Sequence, residues 1–229
     1  MTAFVLGATG FVGREVVRQL CVRGAATVAH VRPDSKALAE WRKQLEGLGA
    51  AVDTTPWDVA ALAARFKIVD PAQLYILIGT TRSRAKADAV DGNIYEAIDV
   101  GLTRLAVDAA RASGRRPRIV YLSSVGADPK ARSAYLAARG RAEAVVTGAG
   151  LPWVIARPSI ITGERDDGRL GERGAAVIGD GLLAVAGVLG GKQLRARYRS
   201  TTPDVLAAAL IRIGEAPEHD RISDGDTLR

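Results

Sequence analysis

The sequence predicts an α/β fold, a Rossmann-like doubly wound parallel sheet with a small C-terminal region on its substrate side. Three observations carry this. Short apolar runs alternate with helical patterns along most of the 229 residues. The first run breaks into Gly7, Gly10 and Gly13 and feeds straight into a helix pattern. The lengths between runs suit right-handed crossovers joining parallel strands.

The first strand is expected at 3–6 and its helix at 11–23. Gly7 allows a backbone conformation that a side chain forbids. Gly10 lets the chain approach a pyrophosphate, and Gly13 lets the helix sit close on the strand. The helix N-terminus then presents free N–H groups to the anion. Thr9, Phe11 and Val12 complete the expected cofactor-binding turn.

The second strand, 26–31, ends at Arg32-Pro33-Asp34. An acidic residue at this place holds the ribose 2′-OH of NAD. Arg32 instead suits the 2′-phosphate of NADP(H), because a guanidinium fork matches phosphate oxygens. Arg14 and Lys36 add positive charge. Asp34 reads as the N-cap of a helix over 35–47.

The third strand, 50–54, leads to Asp58 and Val59, expected at the adenine edge; Asp58 equally suits the N-cap of a helix over 58–66. The fourth strand, 74–78, leads into Gly79, Thr80 and Thr81, where backbone and hydroxyls face the cofactor. A helix is expected over 90–113. The cations of 111–118 then join it to a fifth strand at 118–122.

Ser124 follows that strand, and Tyr135 and Arg139 lie one turn apart on a helix over 131–149. A tyrosine, with an ordinary pKa of about 10, is a poor proton donor or acceptor at neutral pH. A fixed cation beside such a residue favours its ionised form. A serine hydroxyl can hold a carbonyl oxygen as charge develops on it. Together Ser124, Tyr135 and Arg139 suit hydride transfer with a tyrosine moving the proton. A sixth strand is expected at 152–156.

From residue 157 the pattern loosens. A loop over 162–174, an apolar helical segment over 175–189, a strand at 194–200 and a helix opened by Thr202-Pro203-Asp204 are expected. This region is too small to stand alone, so residues 1–229 read as a single domain whose part 157–229 closes the substrate pocket.

Composition excludes several alternatives. The formal charge is +7 at pH 7, yet the cations are scattered and aromatics make up only 5%, thin for base stacking, so nucleic acid is not the expected partner. The longest apolar run falls short of the roughly 20 residues that a membrane span needs. One cysteine, Cys21, forms no internal disulfide and fits a reducing cytoplasm. No metal site is expected, and the chain reads as a monomer or homodimer.

These motifs, in this order, resemble the atypical short-chain dehydrogenase/reductase superfamily, in the NAD(P)-binding group of NmrA-like proteins and the human HIV Tat-interacting oxidoreductase. The resemblance runs from Gly7-Ala-Thr-Gly10-Phe-Val-Gly13-Arg14 through His30-Val-Arg32, Gly79-Thr-Thr-Arg82 and Leu122-Ser-Ser124-Val-Gly-Ala127-Asp128. It continues through Tyr135-Leu-Ala-Ala-Arg139-Gly140-Arg-Ala-Glu143 to Ala156-Arg157-Pro158. It implies NADP(H) along the strand ends, Ser124 and Tyr135 in the catalytic positions, and Pro158, Ser159 and Ile160 beside the nicotinamide. The superfamily pattern has lysine where this chain has Arg139. That lysine holds the nicotinamide ribose and tunes the tyrosine; arginine keeps the charge but is bulkier, planar and no proton relay.

The reading is an NADP(H)-dependent oxidoreductase of a small carbonyl or hydroxyl substrate, with Tyr135 and Arg139 also at the cofactor, Arg139 positioning the ribose and polarising Tyr135. Its rival is a non-catalytic NADP(H)-binding sensor acting through a protein partner. A nucleotide-sugar epimerase, which must retain NAD, fits poorly with Arg32.

Overall fold

In a computed structural model of the chain, the described residues are 1–79, 94–159, 161–162 and 201–228. Among them seven strands form one sheet in the order β3-β2-β1-β4-β5-β6-β7, every neighbouring pair parallel. Its elements are β1 (Thr2–Leu6), α1 (Phe11–Val22), β2 (Ala26–His30), α2 (Leu38–Gly47), β3 (Ala51–Asp53), α3 (Val59–Val69) and β4 (Gln73–Ile76). A π-helical turn (Glu96–Gly101) then runs into α4 (Leu102–Ala112). The rest are β5 (Arg118–Leu122), α5 (Ala134–Thr147), β6 (Trp153–Arg157), α6 (Pro203–Glu215) and β7 (Arg221–Asp224). The strand order reverses between β1 and β4, and ligands of open α/β sheets bind outside the strands' carboxyl ends at such a switch point.

Alternation along the strands builds two cores. Ala3, Val5, Tyr75, Val120 and Val154 face α1 and α6. Phe4, Leu6, Leu74, Ile76, Ile119, Tyr121 and Ile155 face α3, α4 and α5. Period-two side-chain direction puts successive residues on opposite faces, and both faces are covered, so the strands read as continuous apolar runs.

The six expected strands are present within one or two residues of their predicted bounds. β7 is a seventh, at the sheet edge, pairing β6 from Val154↔Arg221 to Arg157↔Asp224. The strand expected at 194–200, the segments 163–174 and 175–189, and Thr80, Thr81, Arg82 and Ile160 lie outside the described residues. Asp34 is not a helix cap. α2 starts four residues later, at Leu38, with Ala37 at the cap and no side-chain cap bond. The chain first closes a turn, the Ser35 N–H donating to the Arg32 carbonyl at 3.1 Å. Asp58 does cap α3, its Oδ1 accepting from the Ala61 N–H at 2.9 Å.

The basic segment 111–118 has a structural use. Arg115 donates to the Lys67 carbonyl in the last turn of α3, at 3.3 Å, and pairs with Asp70. Arg116 donates to the Gly150 carbonyl beyond α5 at 3.1 Å. Arg118 donates to Gly214 at 2.9 Å and to Ala216 at the end of α6. Helix C-termini leave carbonyls without intrahelical partners, and cations there also oppose the helix dipole. Arg115 and Arg118 thus close the ends of α3 and α6, and Arg116 ties down the loop after α5. No helix among the described residues is long and apolar enough to cross a membrane.

Arg118→Met keeps the aliphatic stem and removes the donors. It is expected to cost about 2 kcal/mol, a fall in Tm of roughly 4–8 °C by scanning calorimetry. An unchanged Tm contradicts the stapling role.

Candidate active site at the carboxyl edge

The glycine turn is built as a cradle. Gly7 has φ +85°, the left-handed region, and a Cβ there would lie 2.7 Å from the Leu77 carbonyl oxygen. A Cβ on Gly13 would collide with the Gly7 carbonyl, so α1 packs directly on the end of β1. Gly10 is exposed; its N–H donates to the Gly7 carbonyl at 2.9 Å, and a Cβ would meet only that carbonyl oxygen, at 3.2 Å. One side of the turn is therefore locked and the other open, beside the N-terminus of α1. Thr9 and Phe11 are partly exposed there, while Val12 is buried under the helix. A dinucleotide's pyrophosphate fits this turn, because a close approach needs the missing Cβ of Gly10.

Arg32 is at the exit of β2, and its Nη1 lies 3.6 Å from Asp34 Oδ2. Arg14, in the first turn of α1, rests over the Trp41 ring of α2 at 5.6 Å. Below them, buried His30 bonds the Thr55 carbonyl through Nε2 at 2.7 Å and meets the Trp57 ring edge-on. Burial pushes the His30 imidazole below its ordinary range, partly opposed by the Thr55 bond and by Asp53. Asp58 and Val59 lie at the mouth of this end, both exposed, with the Asp58 carboxylate engaged as the cap of α3.

Arg139 is the centre of the other end. A tyrosine–arginine pair one turn apart reads as a surface contact, yet Arg139 is only 5% exposed. Its Nη2 lies 3.0 Å from Asp99 Oδ1, and Asp99 is fully buried in the π-helical turn. Its Nη1 donates to the Ile78 carbonyl at 3.1 Å, the Tyr121 hydroxyl at 3.1 Å and the Leu122 carbonyl at 3.0 Å. The guanidinium lies 5.4 Å from the Tyr135 ring centre and 6.0 Å from that of Tyr121. Its Nε has no hydrogen-bond partner among the described residues. Burial works against the Arg139 charge, but Tyr135, Tyr121 and Asp99 outweigh it and keep the group protonated. Burial likewise pushes the Tyr121 hydroxyl up, with Arg139 opposing.

Gly79 serves this packing. A Cβ there would sit 2.6 Å from Arg139 Nη2, so the guanidinium fills the space a side chain would take. Gly140 does the same on the far side of α5, where a Cβ would strike the Asp128–Pro129 backbone. The loop carrying Ser124 is thereby pressed against the helix carrying Tyr135. Ser124 is buried just beyond β5, and the next residue's N–H bonds the Pro158 carbonyl at 2.9 Å, setting Ser124 beside buried Pro158 and Ser159. Tyr135 is partly exposed and meets Tyr95 edge-to-face at 5.6 Å.

A second buried cluster fixes the same helix. Glu143 accepts from the Ser123 hydroxyl at 2.5 Å and takes both oxygens to Arg157, at 2.9 and 2.5 Å. It ties α5 to the exits of β5 and β6, and the hydrogen bond that Arg157 donates to Glu143 dominates in holding the Arg157 charge. Sequence reasoning passed over Asp99. The signal was present: a carboxylate between Ile98 and Val100, inside a buried apolar face.

Comparison with known proteins agrees with the fold. The family described as NAD(P)H-binding matches residues 7–181. The chain is 30% identical over 174 residues to Protein FMP52-1, mitochondrial, of Scheffersomyces stipitis, covering 72% of this chain and 70% of that protein. It is 30% identical over 167 residues to ceramide reductase of Caulobacter vibrioides, covering 73% of this chain but 48% of that longer protein. Among solved structures, UDP-glucose 4-epimerase of Thermus thermophilus, in complex with NAD, superposes with a TM-score of 0.68 at 17% identity, covering 97% of this chain and 76% of that one. At that identity the likeness is one of fold.

Asp99→Ala leaves a buried cation unpaired and is expected to cost about 3–5 kcal/mol in urea unfolding. Adding Arg139→Met removes the stranded charge but also the bonds to Ile78, Tyr121 and Leu122, so the double variant should lose clearly less than the sum of the two single losses. Additive losses in the double variant contradict direct coupling.

Proposed function

From the premise that the chain belongs to the NAD(P)H-binding family, we propose that it is an NADP(H)-dependent oxidoreductase of a small carbonyl or hydroxyl substrate. The observation that carries this reading is Tyr135 resting on the buried Arg139 guanidinium, 5.4 Å away, at the exits of β4 and β5. When bound, NADPH supplies a hydride to the substrate's carbonyl carbon. The chain's own residues do the rest. Gly7–Gly13 with the α1 N-terminus hold the pyrophosphate, and Arg32 takes the 2′-phosphate. Asp58 and Val59 border the adenine, and Gly79, Pro158 and Ser159 flank the remainder. The Ser124 hydroxyl donates to the substrate oxygen and keeps it in place. The Tyr135 hydroxyl gives that oxygen its proton in reduction and takes it back in oxidation. Arg139 fixes the ring from beneath and sets a positive charge against it.

The substrate class is a carbonyl compound or its alcohol, in keeping with the name of the Caulobacter relative. A reducing compartment suits the lone Cys21, and this does not choose between the cytoplasm and the mitochondrion named for the yeast relative. The NmrA-like and Tat-interacting resemblance belongs to the same proposal. One observation favours the sensor as the second reading: both terminal nitrogens of Arg139 are already held by protein acceptors. A group so engaged anchors the fold whether or not any turnover occurs.

NADPH oxidation across a panel of aldehydes and ketones separates the readings. Turnover in the unmodified protein, lost by at least about a hundredfold in Tyr135→Phe with NADPH affinity kept, supports the oxidoreductase. NADPH binding without turnover on any carbonyl supports the sensor. Turnover that survives Tyr135→Phe intact removes Tyr135 from the chemistry.

A further inference from the structure

Asp34 has no structural duty in α2, since that helix starts at Leu38 and takes no side-chain cap. It stands instead at the third position of the turn Arg32-Pro33-Asp34-Ser35, closed by the Ser35 N–H on the Arg32 carbonyl at 3.1 Å. Proline at the second position pre-sets the backbone of such a turn. The turn carries two opposite charges side by side. Arg32 Nη1 lies 3.6 Å from Asp34 Oδ2, with side-chain exposures of 36% and 72%. Of the other cations at this end, Arg14 rests on the Trp41 ring and Lys36 is exposed to solvent. Arg32 therefore meets an incoming ligand already paired with a carboxylate that solvent can also reach.

We propose that Asp34 is a specificity-determining residue that lets one site accept both NADP(H) and NAD(H). This rests on the cofactor reading above. With NADP(H), the 2′-phosphate must displace Asp34 from Arg32 and lie close to its negative charge. With NAD(H), no phosphate competes, and the Asp34 carboxylate accepts hydrogen bonds from the adenosine ribose hydroxyls. An exposed ion pair shifts an equilibrium by up to about fivefold, so the expected preference for NADP(H) in the unmodified protein is modest. The acidic group that marks an NAD site and the guanidinium that marks an NADP site are both present, two residues apart, and each opposes the other's choice.

The test is calorimetric titration of NADPH and NADH into the unmodified protein, Asp34→Asn, Arg32→Ala and the double variant, at low and at physiological salt. Asp34 is exposed, so its replacement leaves the fold intact, which circular dichroism checks. Asp34→Asn should bind NADPH about three- to fivefold more tightly and NADH about twofold more weakly, with the larger effect at low salt. In the Arg32→Ala background the gain for NADPH should shrink to less than twofold. If both cofactors bind and Asp34→Asn leaves their ratio within twofold of the unmodified value, this inference is wrong and the cofactor reading stands. An equal gain with Arg32 absent also refutes competition for Arg32. If neither cofactor binds, the cofactor reading fails and this inference with it.

Discussion

A buried ion pair organises the carboxyl edge of this sheet. Arg139 and Asp99 lie on different elements, almost wholly removed from water, and neither charge is tolerable there alone. The remaining contacts of the guanidinium fasten α5 to the Ile78 carbonyl after β4 and to the Tyr121 hydroxyl and the Leu122 carbonyl on β5, and the guanidinium lies against the Tyr135 ring of its own helix. Asp99 reaches this point from a π-helical turn, a form often found at functional sites. The Thr103 hydroxyl donates to the Asp99 carbonyl at 2.6 Å, supporting the backbone that carries the carboxylate. The exposed part of Tyr135 is thus presented from a base that cannot shift without breaking several contacts at once.

The rest of the site leans on that base. Glu143, one turn beyond Arg139, locks the same helix to Ser123 and Arg157. Gly79 and Gly140 make room on either side. At the opposite end of the strand edge the glycine turn is open on one side and rigid on the other. A tyrosine held in place at one end and an open glycine turn at the other share one sheet edge, and the proposed hydride transfer depends on groups held in place before the reaction.

Much of this was legible in the sequence, for physical reasons. Gly7 and Gly13 announce themselves because no other residue fits their backbone or their packing. The five interior strands are legible because burial on both faces demands unbroken apolar runs, and β3, at one edge, is only three residues long and partly buried. β7 is not legible, because an edge strand of four residues, with Ile222 about half exposed, needs no such run. Asp34 mimics a cap in sequence, and only the closed turn at Arg32 shows otherwise. The basic run 111–118 reads only as a connection from helix to strand until its carbonyl partners are visible, since carbonyls leave no mark in sequence. The Arg139–Asp99 contact joins residues forty positions apart, and no local pattern records such a meeting.

A crystal structure of the protein with NADP⁺ tests the account most directly. The account predicts the pyrophosphate on the Gly7–Gly13 turn and Arg139 still paired with Asp99 beneath the Tyr135 ring. A cofactor bound away from that turn, or an Arg139 that leaves Asp99 to hold the cofactor, contradicts it.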